Sequence, residues 1–364
     1  MVSIIRTRSR TRTPRDSDST PLRRILSIVG DLLIITAVVM AGYLFWLYTW
    51  SGVTAYEDQQ SLAAESGFSM TTTKTNKNVA KPMPGQPPSI TEPGYGEVVG
   101  ELHVPRFGSK WSKIIVNGTD DDQLNRHGLG HYQGTAMPGQ IGLFSLAGHR
   151  AGYGEPLAYI DTLKNGDPIV VKADNKWFVY TYYDHKVVNS NEKHALDPVP
   201  FQPDAQPHDR LMALTSCEPR YSWTSAPYRW VSYARFKYWA NVDDGIPKEL
   251  AEASDDGTAT GWNIGSGPII RFLSRLPSAP IMIGMLLAAY VVIFMASAFR
   301  RGWNLRRGEG ILSLFNSLQP GGRLSRTVLD LIAFLIVFVL LLQWGYPFLA
   351  AHVPLLGSMA PTAV

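Results

Sequence analysis

Leu211-Met212-Ala213-Leu214-Thr215-Ser216-Cys217, then a loop from Glu218 to Tyr228, then Arg229-Trp230-Val231-Ser232-Tyr233-Ala234-Arg235-Phe236-Lys237-Tyr238-Trp239: this stretch decides the fold. In the second run Tyr233, Arg235, Lys237 and Trp239 alternate with Ala234, Phe236 and Tyr238, the period-2 signature of a half-buried strand. Working outward, similar short apolar runs recur between Gly, Pro, Asn and Asp breakers: Gly100 to Val104, Ile114 to Val116, Ile141 to Ala147, Ile169 to Val171 and Trp177 to Tyr183. Runs of this length and spacing predict an all-β domain, a barrel or sandwich with one or two short helices. It extends over residues 95–241, enough chain for one buried core.

The strand ends collect chemistry. Cys217, the single cysteine of the 364-residue chain, closes the first run, and Ala147-Gly148-His149-Arg150 closes the run from Ile141. If the runs ending at Cys217 and starting at Arg229 pair antiparallel, the loop between them returns Arg229 to the cysteine's end of the sheet. His149 then needs only a neighbouring strand to join them. A thiol, an imidazole and a guanidinium can run acyl transfer, as nucleophile, proton carrier and oxyanion partner. A lone thiol reads equally well as a small buried hydrophobe. Arg220 and Arg235 compete for the arginine's place, but Arg220 follows the cysteine too closely and Arg235 lies deep in its strand. A reactive Cys217 predicts quick methanethiosulfonate labelling at neutral pH.

Three uncharged runs, Leu32–Trp50, Ile281–Ala298 and Leu331–Ala351, have the length of membrane-crossing helices. The first is too long for a signal peptide and has no small-residue cleavage site before Phe45-Trp46-Leu47-Tyr48. Arginines 6, 8, 10, 12, 15, 23 and 24 precede it, and Arg300, Arg301, Arg306, Arg307, Arg323 and Arg326 separate the other two. The positive-inside bias makes both tracts cytoplasmic and the β domain external. The net charge of +4 owes much to these tracts, so it carries no nucleic-acid signal. The expected organisation is therefore a basic cytoplasmic N-terminus (1–24), a span (25–50), an external Pro/Thr-rich tether (51–94), the β domain (95–241), an acidic and Gly-rich linker (242–278), a span (279–299), a basic cytoplasmic loop (300–327), a span (328–351) and an external tail (352–364).

Ala213-Leu214-Thr215-Ser216-Cys217 resembles the Thr-Leu-x-Thr-Cys signature of the sortases, cysteine transpeptidases of Gram-positive surfaces, with Ala213 and Ser216 departing from it. Gly130-His131-Tyr132-Gln133-Gly134-Thr135-Ala136-Met137-Pro138-Gly139, followed by the phrase ending at His149-Arg150, is similar to the class E branch found in actinobacteria. Gly100-Glu101-Leu102-His103-Val104-Pro105-Arg106 resembles the first strand of the sortase barrel. The resemblance implies an eight-stranded barrel with Cys217, His149 and Arg229 as catalytic residues. It implies cleavage of a Thr–Gly bond in a C-terminal sorting motif, of Leu-Ala-x-Thr-Gly rather than Leu-Pro-x-Thr-Gly type, through a thioacyl intermediate. The implied partners are secreted proteins bearing that motif and a peptidoglycan or lipid-linked amine. It also places His131, Tyr132 and Ser216 beside the substrate, with Tyr132 against the motif's second residue. No cofactor is expected.

The remaining histidines, 103, 127, 131, 185, 194, 208 and 352, lack paired ligand spacing, so they read as surface or packing residues. Asp120-Asp121-Asp122 lacks a patterned calcium loop and reads as a solvated turn. Asp31 and Asp330, at the edges of two spans, read as interfacial residues. Two other functions compete: a pilin-joining polymerase and a non-catalytic membrane-held β domain. The first usually carries an Asp-Pro-aromatic lid, which residues 56–96 lack. A papain-like arrangement fits less well, because it puts the cysteine on a helix well before its histidine, and here the histidine comes first.

Overall fold

The computed structural model describes residues 21–68, 78–222, 225–253, 267–301 and 310–357. The arginines at 6 to 15, Arg306 and Arg307, residues 254–266 of the acidic linker and the end of the tail lie outside the described residues. Eight strands close a barrel: β1 Val98–His103, β2 Ser112–Asn117, β3 Leu129–His131, β4 Gly142–Gly148, β5 Pro168–Ala173, β6 Lys176–Asn189, β7 Arg210–Glu218 and β8 Tyr228–Asn241. Their order around the barrel is β1-β2-β3-β4-β7-β8-β6-β5, and β5 pairs back to β1. Two pairs are parallel, β2 with β3 and β4 with β7; the rest are antiparallel. Leu102, Ile115, Phe144, Leu146, Phe178, Met212 and Leu214 belong to the main buried core. The alternate residues of β4, β7 and β8 turn to the other face, where Leu143, Leu211, Ala213, Val231 and Tyr233 form a second apolar cluster.

Local chemistry explains the turns. Asp174 and Asn175, both at positive φ (44° and 55°), make the two-residue link between β5 and β6. That is the backbone whose twist matches a tight hairpin, and Asp and Asn tolerate it better than most residues. The parallel β2–β3 pair needs a crossover, and α3 (Asp121–His127) supplies it. Asp120 caps α3, accepting from the N–H groups of Asp122 (3.0 Å) and Gln123 (3.2 Å). The Asp120-Asp121-Asp122 run is thus a helix start, where carboxylates take up unpaired backbone donors, and not a simple turn. At Gly130 a Cβ would sit 2.0 Å from the Gly118 carbonyl oxygen, so only glycine lets β3 reach β2.

Residues 51–94 depart from the expected tether. The first helix does not end at residue 50. Helix α1 (Pro21–Phe45) runs through a π turn at Trp46–Trp50 into α2 (Ser51–Glu65). Helix α2 lies against β2, whose upstream half has β1 on one side and no strand on the other, since β3 pairs only with Val116 and Asn117. Gln59 fills that edge as a strand would. Its Oε1 accepts from the Ile114 N–H (2.8 Å) and its Nε2 donates to the Ile114 (3.0 Å) and His127 (2.5 Å) carbonyls. The proline-rich part also follows the barrel. Ala80 N–H donates to Ile246 O, Met83 N–H to Trp239 O, Asn117 Nδ2 to Pro93 O and Gln140 Nε2 to Ile90 O.

The other helices are α4 Lys248–Ala251, α5 Pro268–Leu273, α6 Ala279–Arg301, α7 Ile311–Leu318, α8 Arg323–Leu340, α9 Tyr346–His352 and α10 Pro354–Gly357. Among the described residues three helical runs are long and apolar enough to cross a membrane: Pro21–Glu65, Ala279–Arg300 and Arg323–His352. The described residues fall into two compact units, one drawn from Met1–Ala41 and Ala279–Val339, the other from Gly42–Ser278 and Leu340–Val364. In the first, Asp31 Oδ2 accepts from the Leu312 N–H at the start of α7, and Asp330 pairs with Asn316. Both aspartates thus serve helix-to-helix contacts.

Candidate active site

The site grows from strand register. In the antiparallel β7–β8 pair Cys217 stands directly opposite Arg229, so both side chains leave the same face. In the parallel β4–β7 pair Ala147 sits beside Thr215, and Ser216 Oγ donates to the Gly148 carbonyl (2.6 Å). This clasp holds the strands together one residue before both His149 and Cys217. Thiol, guanidinium and imidazole therefore share one end of three adjacent strands. Tyr132 lies within electrostatic reach of both Arg229 and Cys217, though burial is what chiefly raises its phenol pKa.

His149 is fully buried. Its Nε2 lies 2.7 Å from Asn125 Oδ1, and since a carbonyl oxygen only accepts, Nε2 carries the hydrogen. That tautomer leaves the lone pair on Nδ1, which is buried and has no hydrogen-bond partner among the described residues. The ring of Tyr153 covers His149, with centroids 5.0 Å apart. Burial lowers the imidazole pKa from 6.5 to about 3. Burial also raises the Cys217 thiol above its ordinary value, and the positive charges of Arg229 and Arg150 oppose the rise. Both partners are consequently neutral at rest. A buried, upshifted thiol does not fit quick labelling at neutral pH.

Arg229 is 9% exposed and its Nη1 donates to the Ala226 (2.9 Å) and Tyr228 (3.1 Å) carbonyls. Its buried Nε has no partner among the described residues. The competing arginines are committed elsewhere. Arg220 pairs with Glu155 (2.5 Å), and exposed Arg235 stands 4.0 Å from Asp209.

Of the three expected substrate contacts, Tyr132 stands beside the cysteine and arginine, while His131 and Ser216 face inward. His131 Nδ1 lies 2.9 Å from Asn117 Oδ1, its Nε2 3.0 Å from Thr135 Oγ1, and its ring stacks on Phe144. The other packing histidines include His103 against Trp177 and His185 stacked on Trp230.

Sequence reasoning passed over three residues. Arg150, 5% exposed, reaches the Cys217 carbonyl (3.4 Å), pairs with Glu218 and Asp161, and lies over the Trp230 ring. Its position next to His149 was the available signal. Asn125 and Tyr153 had none, since their roles appear only when α3 and the loop after β4 close on the histidine.

A closed eight-stranded barrel thus carries a cysteine, an arginine and a histidine at the ends of adjacent strands. Residues 102–237 match the family model described as the sortase domain, and this stretch belongs to that family. The chain is similar to Sortase SrtE1 of Streptomyces coelicolor, 31% identical over 229 residues that cover 61% of this chain and 60% of the relative. It is similar to Sortase SrtE2 of the same organism, at 28% over 237 residues covering 62% and 88%. A solved structure, SrtA sortase from Actinomyces oris, is 35% identical, with a TM-score of 0.43 over 46% of this chain and 96% of the other.

Proposed function

We propose that the chain is a membrane-held cysteine transpeptidase, similar to class E sortases, that joins secreted proteins to an amine of the cell wall. The opposition of Cys217 and Arg229, beside the strand end that carries His149, is the observation on which this reading rests. Cys217 passes its proton to His149 Nδ1 as Sγ adds to the threonine carbonyl of a Leu-Ala-x-Thr-Gly or Leu-Pro-x-Thr-Gly signal. The Arg229 guanidinium, which cannot lose its charge, faces the oxyanion. The carbon–nitrogen bond to glycine then breaks, His149 protonates the leaving amine, and a thioester remains. A peptidoglycan or lipid-linked amine attacks that thioester and gives its proton to His149. The departing thiolate takes this proton back, and a new amide has formed. Tyr132 contacts the second residue of the motif, while His131 and Ser216 hold its loop and strand from behind.

The arginine tracts support a cytoplasmic N-terminus and an external barrel. The test is to incubate the full chain in detergent with both peptides, with and without an amine acceptor, and read intact mass. A peptide thioester on Cys217 that the amine discharges is the expected result, absent in Cys217→Ala. Peptide joining that survives Cys217→Ala would end the proposal.

A further inference from the structure

His149 is gripped from two sides, and one grip starts outside the barrel. Trp46, in the π turn before α2, packs edge-on against the Tyr153 ring at 6.0 Å and 87°. Ser51, the first residue of α2, accepts from the Tyr153 N–H at 2.9 Å and donates its own proton to Leu47 O at 2.6 Å. The Tyr153 ring lies on the His149 ring, tilted by 34°. Tyr153 has φ 47°, in the left-handed region that a bulky residue seldom occupies. Such a conformation persists where its surroundings over-determine it, and here Ser51 holds the backbone while Trp46 holds the ring. The second grip is the Asn125 carbonyl on Nε2–H.

We propose that the Trp46–Ser51 turn is a positioning element of the active site, fixing Tyr153 on His149 while Asn125 fixes its tautomer, so that Nδ1 is presented in one orientation. The proposal rests on His149 being the proton carrier of the reaction. Trp46, Ser51, Asn125 and Tyr153 all border one cleft of about 720 Å³, so this support is built around open space and not packed solid. The charged groups bordering that cleft are Asp121, Asp122 and Arg126 on α3; Tyr153 touches His149 directly, Arg150 follows it in the chain, and Cys217 lies near the end of the strand paired with β4. Trp46 and Ser51 add no charge. Their substitution therefore acts on His149 only through cover and position.

The test uses the full chain in lipid nanodiscs with isotope-labelled histidine, assigning His149 from the His149→Gln spectrum and titrating it by NMR. Turnover of a Leu-Ala-x-Thr-Gly peptide is measured beside it. Loosening the cover readmits water, so Trp46→Leu and Ser51→Ala raise the His149 midpoint by about one pH unit or more. They also lower kcat roughly 10- to 100-fold through misplacement while KM changes little. Trp46→Phe restores much of both readouts. Tyr153→Leu gives the same shift should the helix variants fail to insert. A His149 titration unmoved in folded Trp46→Leu, Ser51→Ala and Tyr153→Leu overturns the proposal. If the midpoint moves yet His149→Gln keeps full turnover, the positioning stands and the proton-carrier reading falls.

Discussion

At the scale of single residues, the site separates charge it must keep from charge it must delay. Arg229 is nearly buried, and because Nη1 alone holds the Ala226 and Tyr228 carbonyls, the other donors of its planar guanidinium remain for the side of the strand pair it shares with Cys217. Arg229→Lys folds normally but loses about 2.7–4 kcal/mol of transition-state stabilisation, a roughly 10²- to 10³-fold fall in kcat. Steady-state kinetics beside a circular-dichroism melt check both halves, and wild-type turnover would exclude the oxyanion role. His149 makes the opposite statement. Its folded pKa, about 3, lies below its unfolded 6.5, so the folded state binds fewer protons between those values. Stability is complete above pH 6.5 and declines as pH falls toward 3, by at most about 1.4 kcal/mol per pH unit. His127 and His131, also lowered mainly by burial, add to the same slope. Urea unfolding as a function of pH will show a shallower acid limb in His149→Gln than in the native chain. Parallel limbs would mean that His149 is not held neutral.

At the scale of elements, β8 was legible in the sequence because Tyr233, Arg235, Lys237 and Trp239 alternate with Ala234, Phe236 and Tyr238, and β7 because a short apolar run ends at Cys217; β7 itself is buried on both faces. The short loop from Glu218 to Tyr228 let an antiparallel return bring Arg229 to the cysteine's end, and the register sets the two directly opposite. Helix α2 was not legible, because its buried residues are Ser51, Gly52, Val53, Ala55, Gln59 and Ala63, mostly small or polar. Such a face packs by closeness and hydrogen bonding, with no apolar stripe to read. Strand β3 was hidden for a related reason, being three residues long and dependent on a bare Gly130. The worth of Gln59 can be measured. Gln59→Ala leaves the buried Ile114 N–H and two carbonyls without their partner, which costs about 1–3 kcal/mol. The lowered urea midpoint should come with faster amide exchange at Ile114. Unchanged protection there would show that α2 does not guard the β2 edge.

At the scale of the whole molecule, the barrel is not a self-contained unit on a string. The segment ahead of it supplies an edge partner at Ile114, backbone bonds to Ile246 and Trp239, the Ile90 carbonyl that accepts from Gln140 Nε2, and the Trp46–Tyr153 contact beside His149. Proline content argued for a stiff spacer, and that inference failed because extended proline-rich chain lies against a β surface as readily as it reaches through water. The consequence concerns where a soluble enzyme can be cut. A piece spanning residues 95–241 keeps all eight strands but gives up every bond made by residues 51–94. At about 1 kcal/mol for each lost hydrogen bond, it should be several kcal/mol less stable than a piece spanning 51–253. Exposed edge at β2 should also make it prone to self-association. Urea melts and sedimentation of the two pieces decide the matter, and equal midpoints would mean that the leading segment follows the barrel without supporting it.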